Sequence, residues 1–365
     1  MAKQHRREPK VPACYAMVIP GLESVAAEEI TADLGGDVRK VSRGLVIFRV
    51  PEIGPQLFSL RTTEDVFLLG WGSGSLTYRA EDLKSIKSWT ESEADWRDLL
   101  ALQQRLAPRR KGKPTYRVVT QMHGTHGYRR VDAGKALSRA IAGRVPSGWS
   151  PVDEDAHAEI WLTIRGKVAV CGVRLSDREM RHRTYKSEHL PASLRPSLAA
   201  AMVRLGGASP GMTVLDPMCG GGTILAEQIA LSRARKAGIV EVWGGDLDAN
   251  ALAMAGENVR RVGPCSLGRW DARSLPFAPG SVDRVVCNPP FGKQLSSPKE
   301  IGPLYRALVR EIDRALRPNG RVVLLASDPE PLREPIRRAG WEPKRQMEIQ
   351  ILGQDATLGV WRKRD

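Results

Sequence analysis

The sequence has only five cysteines (Cys14, Cys171, Cys219, Cys265 and Cys287), and no two stand as Cys-x-x-Cys. That scatter argues against a disulfide framework and a cysteine-bound zinc site, and it suits a reducing, cytoplasmic location. Long apolar runs are also missing. None approaches the roughly 18–20 residues that span a bilayer, so no membrane partner is expected. The basic stretch Lys3 to Lys10 leads into Val11-Pro12-Ala13-Cys14, not an apolar core, and reads as a frayed tail instead of a signal peptide. His123 and His126 lack an evident third ligand, so no metal is expected. Internal repeats are absent.

Positive charge is in excess. Lys and Arg number 56 against 41 Asp and Glu, a formal charge of +15, which favours a polyanionic partner through counterion release. A length of 365 residues with 42% hydrophobic content suggests two or three domains, each able to bury a core.

The chain begins with an apolar run, Tyr15 to Ile19, then Pro20-Gly21-Leu22-Glu23 and a helical stretch from Ser24 to Leu34 in which Ser24 is a plausible N-cap. Two short strands around Arg43-Gly44 complete half of a ferredoxin-like unit. From about Thr77 to Ser176 the pattern is α+β. Leu99 to Leu106 is helical, Thr115 to Val119 a strand, and Asp132 to Val145 a helix that leaves Lys135, Arg139 and Arg144 for solvent or phosphate. Two strands flank the turn Arg165-Gly166-Lys167. The charged run Arg178 to Lys186 has the composition of a solvated linker. Past Pro196, short apolar runs at Val214, Val240, Val285 and Val322 alternate with helices from Ile224, Asn250 and Leu304. That alternation predicts a parallel sheet covered on both faces.

Four motifs follow successive strands, where open α/β sheets bind ligands. The first is Asp216-Pro217-Met218-Cys219-Gly220-Gly221-Gly222-Thr223. Its glycines admit a ligand close to the backbone, and the helix it opens offers unpaired N–H groups. Such a turn fits a dinucleotide, a phosphate or tight packing, but no Lys-Ser or Lys-Thr follows it, which excludes a P-loop. The second, Asp246-Leu247-Asp248, puts an acid where it can accept both ribose hydroxyls of an adenosine. In the third, Asp271-Ala272-Arg273, the carboxylate can accept from an adenine amino group and the Ala272 amide can donate to a ring nitrogen. The fourth is Asn288-Pro289-Pro290-Phe291-Gly292. The Asn288 side-chain oxygen and the Pro289 carbonyl can hold both N–H groups of an exocyclic amine, and Phe291 offers a face for a flipped-out base. Cys287 lacks a partner base for covalent cytosine methylation and reads as a strand residue.

Together the motifs resemble the amino-methylating class I methyltransferases, and the segment His189 to Ala200 resembles the one preceding the catalytic core in THUMP-domain RNA methyltransferases. The resemblance implies an α/β fold, with a Rossmann-like class I methyltransferase core at the C-terminus preceded by α+β ferredoxin-like and THUMP modules. The implied division is 1–75 (basic tail and ferredoxin-like domain), 76–177 (THUMP RNA-binding domain), 178–196 (a linker closing the cofactor pocket) and 197–365 (methyltransferase domain). It implies S-adenosylmethionine as cofactor, held by Leu190, Pro191, Ala192, Ser193, Asp216, Pro217, Cys219, Gly220, Gly222, Thr223, Asp246, Leu247, Asp271, Ala272 and Asn288. Asn288, Pro289 and Phe291 are then the catalytic set. The Asn-Pro-Pro-Phe-Gly form is similar to that of tRNA guanine-N2 methyltransferases acting on acceptor-stem position 6, with tRNA as partner. Ribosomal RNA guanine, DNA adenine and protein glutamine remain alternative targets of the same motif. A DNA enzyme should carry a base-reading domain, and a glutamine enzyme a small helical one. A non-catalytic RNA-binding role and a small activating subunit also remain open.

Overall fold

The computed structural model describes residues 11–107, 111–186, 193–235, 238–290, 298–351 and 353–365. The N-terminal elements are β1 (Cys14–Met17), α1 (Glu23–Leu34), β2 (Asp37–Ser42), β3 (Leu45–Arg49), β4 (Asp65–Ser73), α2 (Asp82–Ser92), α3 (Trp96–Leu106), β5 (Thr115–His123), α4 (Arg130–Ala142), β6 (Ser150–Pro151), β7 (Ala158–Arg165) and β8 (Val168–Arg174). Among the described residues their strands form one sheet in the order β2-β3-β1-β4-β8-β7-β5-β6. The join is the antiparallel pairing of β4 with β8, from Phe67 opposite Arg174 to Ser73 opposite Ala169. The stretches read from sequence as two modules therefore share a single sheet.

Helix α1 begins at Glu23, one residue before the Ser24 cap expected from sequence, and no side chain caps it. The Glu23 carboxylate instead accepts the N–H groups of Gly21 and Gly44, and Ser24 Oγ is engaged by Arg345. At the other end Gly35 turns left-handed at φ 60°, a conformation that glycine adopts without a Cβ clash, and the helix stops. Helix α4 carries Ala133, Leu137 and Ile141 into the core, and Lys135 and Arg139 are exposed as its periodicity predicts.

The C-terminal half runs α5 (Arg178–His182), α6 (Pro196–Gly206), β9 (Thr213–Asp216), α7 (Thr223–Arg235), β10 (Glu241–Asp246), α8 (Ala249–Arg260), β11 (Ser266–Arg269), β12 (Val282–Cys287), α9 (Pro298–Ala315), β13 (Leu316–Ala326), α10 (Glu330–Ala339), β14 (Glu342–Ile351) and β15 (Gln354–Arg362). Its sheet has the order β11-β10-β9-β12-β13-β15-β14. Strands β9 to β13 are parallel, but β15 lies antiparallel to β13 and pairs with β14 as a hairpin. The wholly parallel sheet expected from sequence therefore ends in an antiparallel edge. Two residues separate β14 from β15, too few for a parallel crossover.

The two halves are packed together. Helix α6 is buried along nearly its whole length, with Pro196 at its first turn. Val25, Ala26 and Ile30 of α1 belong to the same apolar core as Leu198, Val203, Val286 and Leu358. The β14 edge meets the turn after β1: Gln350 N–H donates to Pro20 O at 2.9 Å. A Cβ on Gly21 would stand 2.1 Å from Glu348 O, so only glycine fits there.

The solvated linker expected at 178–186 is not what the fold contains. Arg183, Tyr185 and Lys186 are buried. Glu227 of α7 accepts from Arg183 Nε at 3.2 Å and from the Tyr185 hydroxyl at 2.7 Å, so the buried Arg183 charge is neutralised inside the protein.

Candidate active site

Strands β9, β10 and β12 lie side by side and end in Asp216, Asp246 and Cys287, which gathers the first, second and fourth motifs at one edge of the sheet. After β9 the chain turns through Gly220 and Gly222, with φ of 50° and 74°. A Cβ on Gly222 would stand 3.1 Å from Ala255 Cα, so the glycine also lets α8 pack closely. The turn is held at several points. Cys219 N–H donates to Gly245 O at 2.8 Å, Asn258 Nδ2 to Gly221 O at 2.9 Å, and the Trp270 indole N–H to Pro217 O at 3.2 Å. Thr223 is buried where the turn opens α7.

The acids differ in environment. Asp246 accepts from Gly220 N–H at 2.9 Å and from Asp248 N–H at 3.0 Å, tying the second motif to the first. Leu247 beside it is 59% exposed, an apolar surface at the rim of the site. Asp216 is buried and accepts only the Met218 N–H, at 3.2 Å, from the backbone. Burial, with the negative Asp246 nearby, pushes its carboxyl up to about 8, against the hydrogen bonds from Met218 and Cys287. Burial and Asp216 push the Cys287 thiol well above its ordinary value. Cys287 therefore stays a protonated strand residue, as its lack of a partner base predicts. Asp271 is paired with Arg273 at 2.6 Å, which holds its carboxyl below the usual range, and Ala272 is buried beside it. A carboxylate has further lone pairs, so the ion pair leaves room for an amino donor.

The fourth motif leaves β12 directly. Asn288 Oδ1 is buried and has no hydrogen-bond partner among the described residues. Pro289 is buried, and the Pro290 carbonyl accepts the Tyr305 hydroxyl at 3.0 Å, which anchors the turn to α9. Phe291 lies outside the described residues, as do Leu190, Pro191 and Ala192; Ser193 is half-buried. On either side of residues 187–192, Lys186 Nζ donates to Leu194 O at 2.6 Å. Sequence reading missed Tyr305, Trp270 and Glu227. Each sits in an ordinary helix or loop with no local pattern that marks it.

A glycine turn with left-handed backbone, acids ending neighbouring strands and an orphaned buried acceptor fit a nucleoside with a charged tail on one side and a hydrogen-bond donor on the other. The fold and this site define a class I methyltransferase that uses S-adenosylmethionine. Residues 183–356 match the family described as "RMKL-like, methyltransferase domain". The chain is 34% identical over 322 residues to the tRNA (guanine(6)-N2)-methyltransferase of Thermus thermophilus, covering 85% of this chain and 88% of that one. It is 33% identical over 201 residues to the Bos taurus tRNA (guanine(6)-N(2))-methyltransferase THUMP3, covering 49% of this chain but 37% of that longer protein. The crystal structure of TrmN from Thermus thermophilus superposes with a TM-score of 0.76 at 28% identity, over 96% of this chain and 99% of that one. The chain belongs to the guanine-N2 methyltransferase family of the Thermus enzyme, within the THUMP-type class I RNA methyltransferases.

Proposed function

We propose that the chain forms N2-methylguanosine in tRNA, at position 6 of the acceptor stem, and works in the cytoplasm. The observation that carries the chemistry is the buried, unpartnered Asn288 Oδ1 at the end of β12. A buried acceptor without a partner is costly, and an amino group entering the site supplies the missing donor. Asn288 and the Pro289 carbonyl accept the two N–H groups of the guanine amine and hold its nitrogen in line with the methyl donor. Two consecutive prolines stiffen the turn and remove competing N–H donors. Phe291 stacks on the flipped base. Orientation supplies most of the acceleration, with no strong base needed. S-Adenosylmethionine, when bound, contributes an electrophilic methyl carbon on a sulfonium.

Asp246 takes the ribose hydroxyls, Asp271 and Ala272 read the adenine edge, and the 216–223 turn with Leu190 to Ser193 encloses the remainder. In this reading residues 76–177 grip the RNA, 1–75 support them, 178–196 close the pocket and 197–365 carry the reaction. The relative's name and the charge of +15 support tRNA as the substrate. Among the described residues no helix is long and apolar enough to cross a membrane. Nucleoside mass spectrometry on bulk tRNA, incubated with the protein and methyl-labelled cofactor, is the test. Label in N2-methylguanosine is the expected result. Label in ribosomal RNA alone overturns the substrate, and label in no RNA overturns the activity.

A further inference from the structure

The N-terminal sheet has two apolar faces. Helices α1, α3 and α4 cover one of them, through Ile30, Leu100 and Leu137. The other carries Tyr15, Met17, Leu45, Phe67, Trp161 and Val170, with no helix among them. At one end of this second face the cations are paired. Arg174 lies over the Trp161 ring and pairs with Asp65 and Glu159, and Arg117 pairs with Glu159 at 2.7 Å.

At the other end they are not. Arg165, the last residue of β7, and Arg43, in the β2–β3 turn, line a cleft of about 60 Å³ with Ser42, Thr163 and an apolar floor that includes Met17 and Val170. Among the described residues neither arginine forms an ion pair with a carboxylate. Arg165 Nε and Thr163 Oγ1 are buried without a hydrogen-bond partner, although Thr163 is only 3% exposed. The Arg165 guanidinium lies against Gly44, whose Cβ, if present, would stand 3.4 Å from Arg165 Cζ. Burial and the neighbouring Arg43 lower the Arg165 pKa, while Glu23 and Glu64 act the other way. Like charges are thus held together beside buried polar atoms that have no hydrogen-bond partner among the described residues.

We propose that this cleft is a phosphate subsite for the RNA backbone, in which Arg165 and Arg43 hold a phosphodiester and Thr163 donates its hydroxyl. The inference rests on the RNA-methyltransferase reading above. A guanidinium fork matches two phosphate oxygens, and the arriving anion relieves the repulsion between the arginines. The cleft is narrow and opens to solvent, so a backbone phosphate can enter it from the surface. Its position suits RNA better than a free anion. Glu64, which acts on Arg165, also pairs with Arg195 at 2.7 Å, directly before α6 and just beyond the segment that closes the cofactor side.

The test uses the full chain with R43Q, R165Q and R165K. Binding of a tRNA transcript is measured at several salt concentrations, alongside cofactor affinity and thermal melting. Each Gln variant is expected to lose about tenfold in tRNA affinity and to lower the salt slope by about one, with cofactor affinity unchanged. R165K keeps the charge without the fork and should recover part of the loss. Arg43 is exposed, so R43Q keeps the test open if R165Q fails to fold. Wild-type affinity and salt slope in R43Q overturn the subsite. Protection of the wild type from heat by inorganic phosphate, lost in R165Q while tRNA affinity is unchanged, overturns its assignment to RNA. The activity is judged separately on the wild type: tRNA bound but never methylated defeats the catalytic reading and leaves the subsite standing.

Discussion

The carboxylate of Glu227 receives the guanidinium of Arg61 through two hydrogen bonds, of 2.6 and 3.0 Å, across 166 residues of chain. Glu227 stands one turn into the helix that leaves the glycine turn, and Arg61 belongs to the N-terminal half. With Arg183 and the Tyr185 hydroxyl on the same carboxylate, one buried acid joins α7, the connector and the loop that leads into β4. Glu227→Ala leaves Arg183 buried and uncompensated, and it should destabilise the fold by roughly 3–5 kcal/mol. Arg61→Ala should cost less, because that side chain is 25% exposed. Urea unfolding of both variants checks the order, and equal small losses would contradict it.

On the role proposed for Asn288, Asn288→Ala removes the acceptor that holds the target amine. By analogy with the loss of one positioned hydrogen bond at a reacting centre, turnover should fall by about 10²-fold or more, with cofactor affinity nearly unchanged. Steady-state kinetics beside a calorimetric cofactor titration separates the two. Equal losses in both would remove Asn288 from the role given to it.

Asp246→Ala should show the reverse pattern. Its carboxylate holds Gly220 N–H, and the proposed function gives it the ribose hydroxyls, so on that reading the variant loses the shape of the turn and a ligand contact together. Cofactor affinity should weaken by about tenfold or more, and turnover at saturating cofactor should change less.

Asp216 predicts a pH dependence with a definite sign. Its carboxyl is raised to about 8 in the folded chain from an ordinary value of 3.8. The folded state therefore keeps a proton that the unfolded state has released. The contribution is complete below about 4 and is lost progressively as pH rises towards 8. Asp216→Asn should raise the melting temperature by several degrees at pH 8.5 and by little at pH 4. A cationic ligand group beside the ionised carboxylate reverses the preference, so cofactor binding should strengthen over the same rise in pH. A melting curve whose Asp216→Asn gain is independent of pH would contradict the assignment.

Much of the site was legible because its parts are local. Asp216 with its glycines, Asp246, Asp271 and Asn288-Pro289 each stand at or just past the end of a strand, and the structure sets three of the four at the ends of β9, β10 and β12, side by side. The antiparallel β14–β15 edge was not read. Its strand Glu342–Ile351 opens on the polar run Glu342-Pro343-Lys344-Arg345-Gln346 and alternates apolar with polar residues only from Met347, and composition does not say where such a strand pairs. The connector misled for a related reason. Arg181, Arg183 and Lys186 look solvated until the acids that neutralise two of those arginines, Asp65 and Glu227, are brought to them from distant segments.

By itself the sequence determined the strand–helix alternation, the chemistry at the strand ends and the excess of positive charge. Those depend on a residue's neighbours in the chain, through side-chain period, glycine's backbone freedom and proline's rigidity. Only the tertiary structure decided that the N-terminal stretches share one sheet, that Glu227 gathers Arg61, Arg183 and Tyr185, and that Arg43 and Arg165 line one cleft with no ion pair to either among the described residues. These are pairings between residues far apart in the chain. Burial makes them strong by removing competing water, and no local pattern records which partners burial brings together.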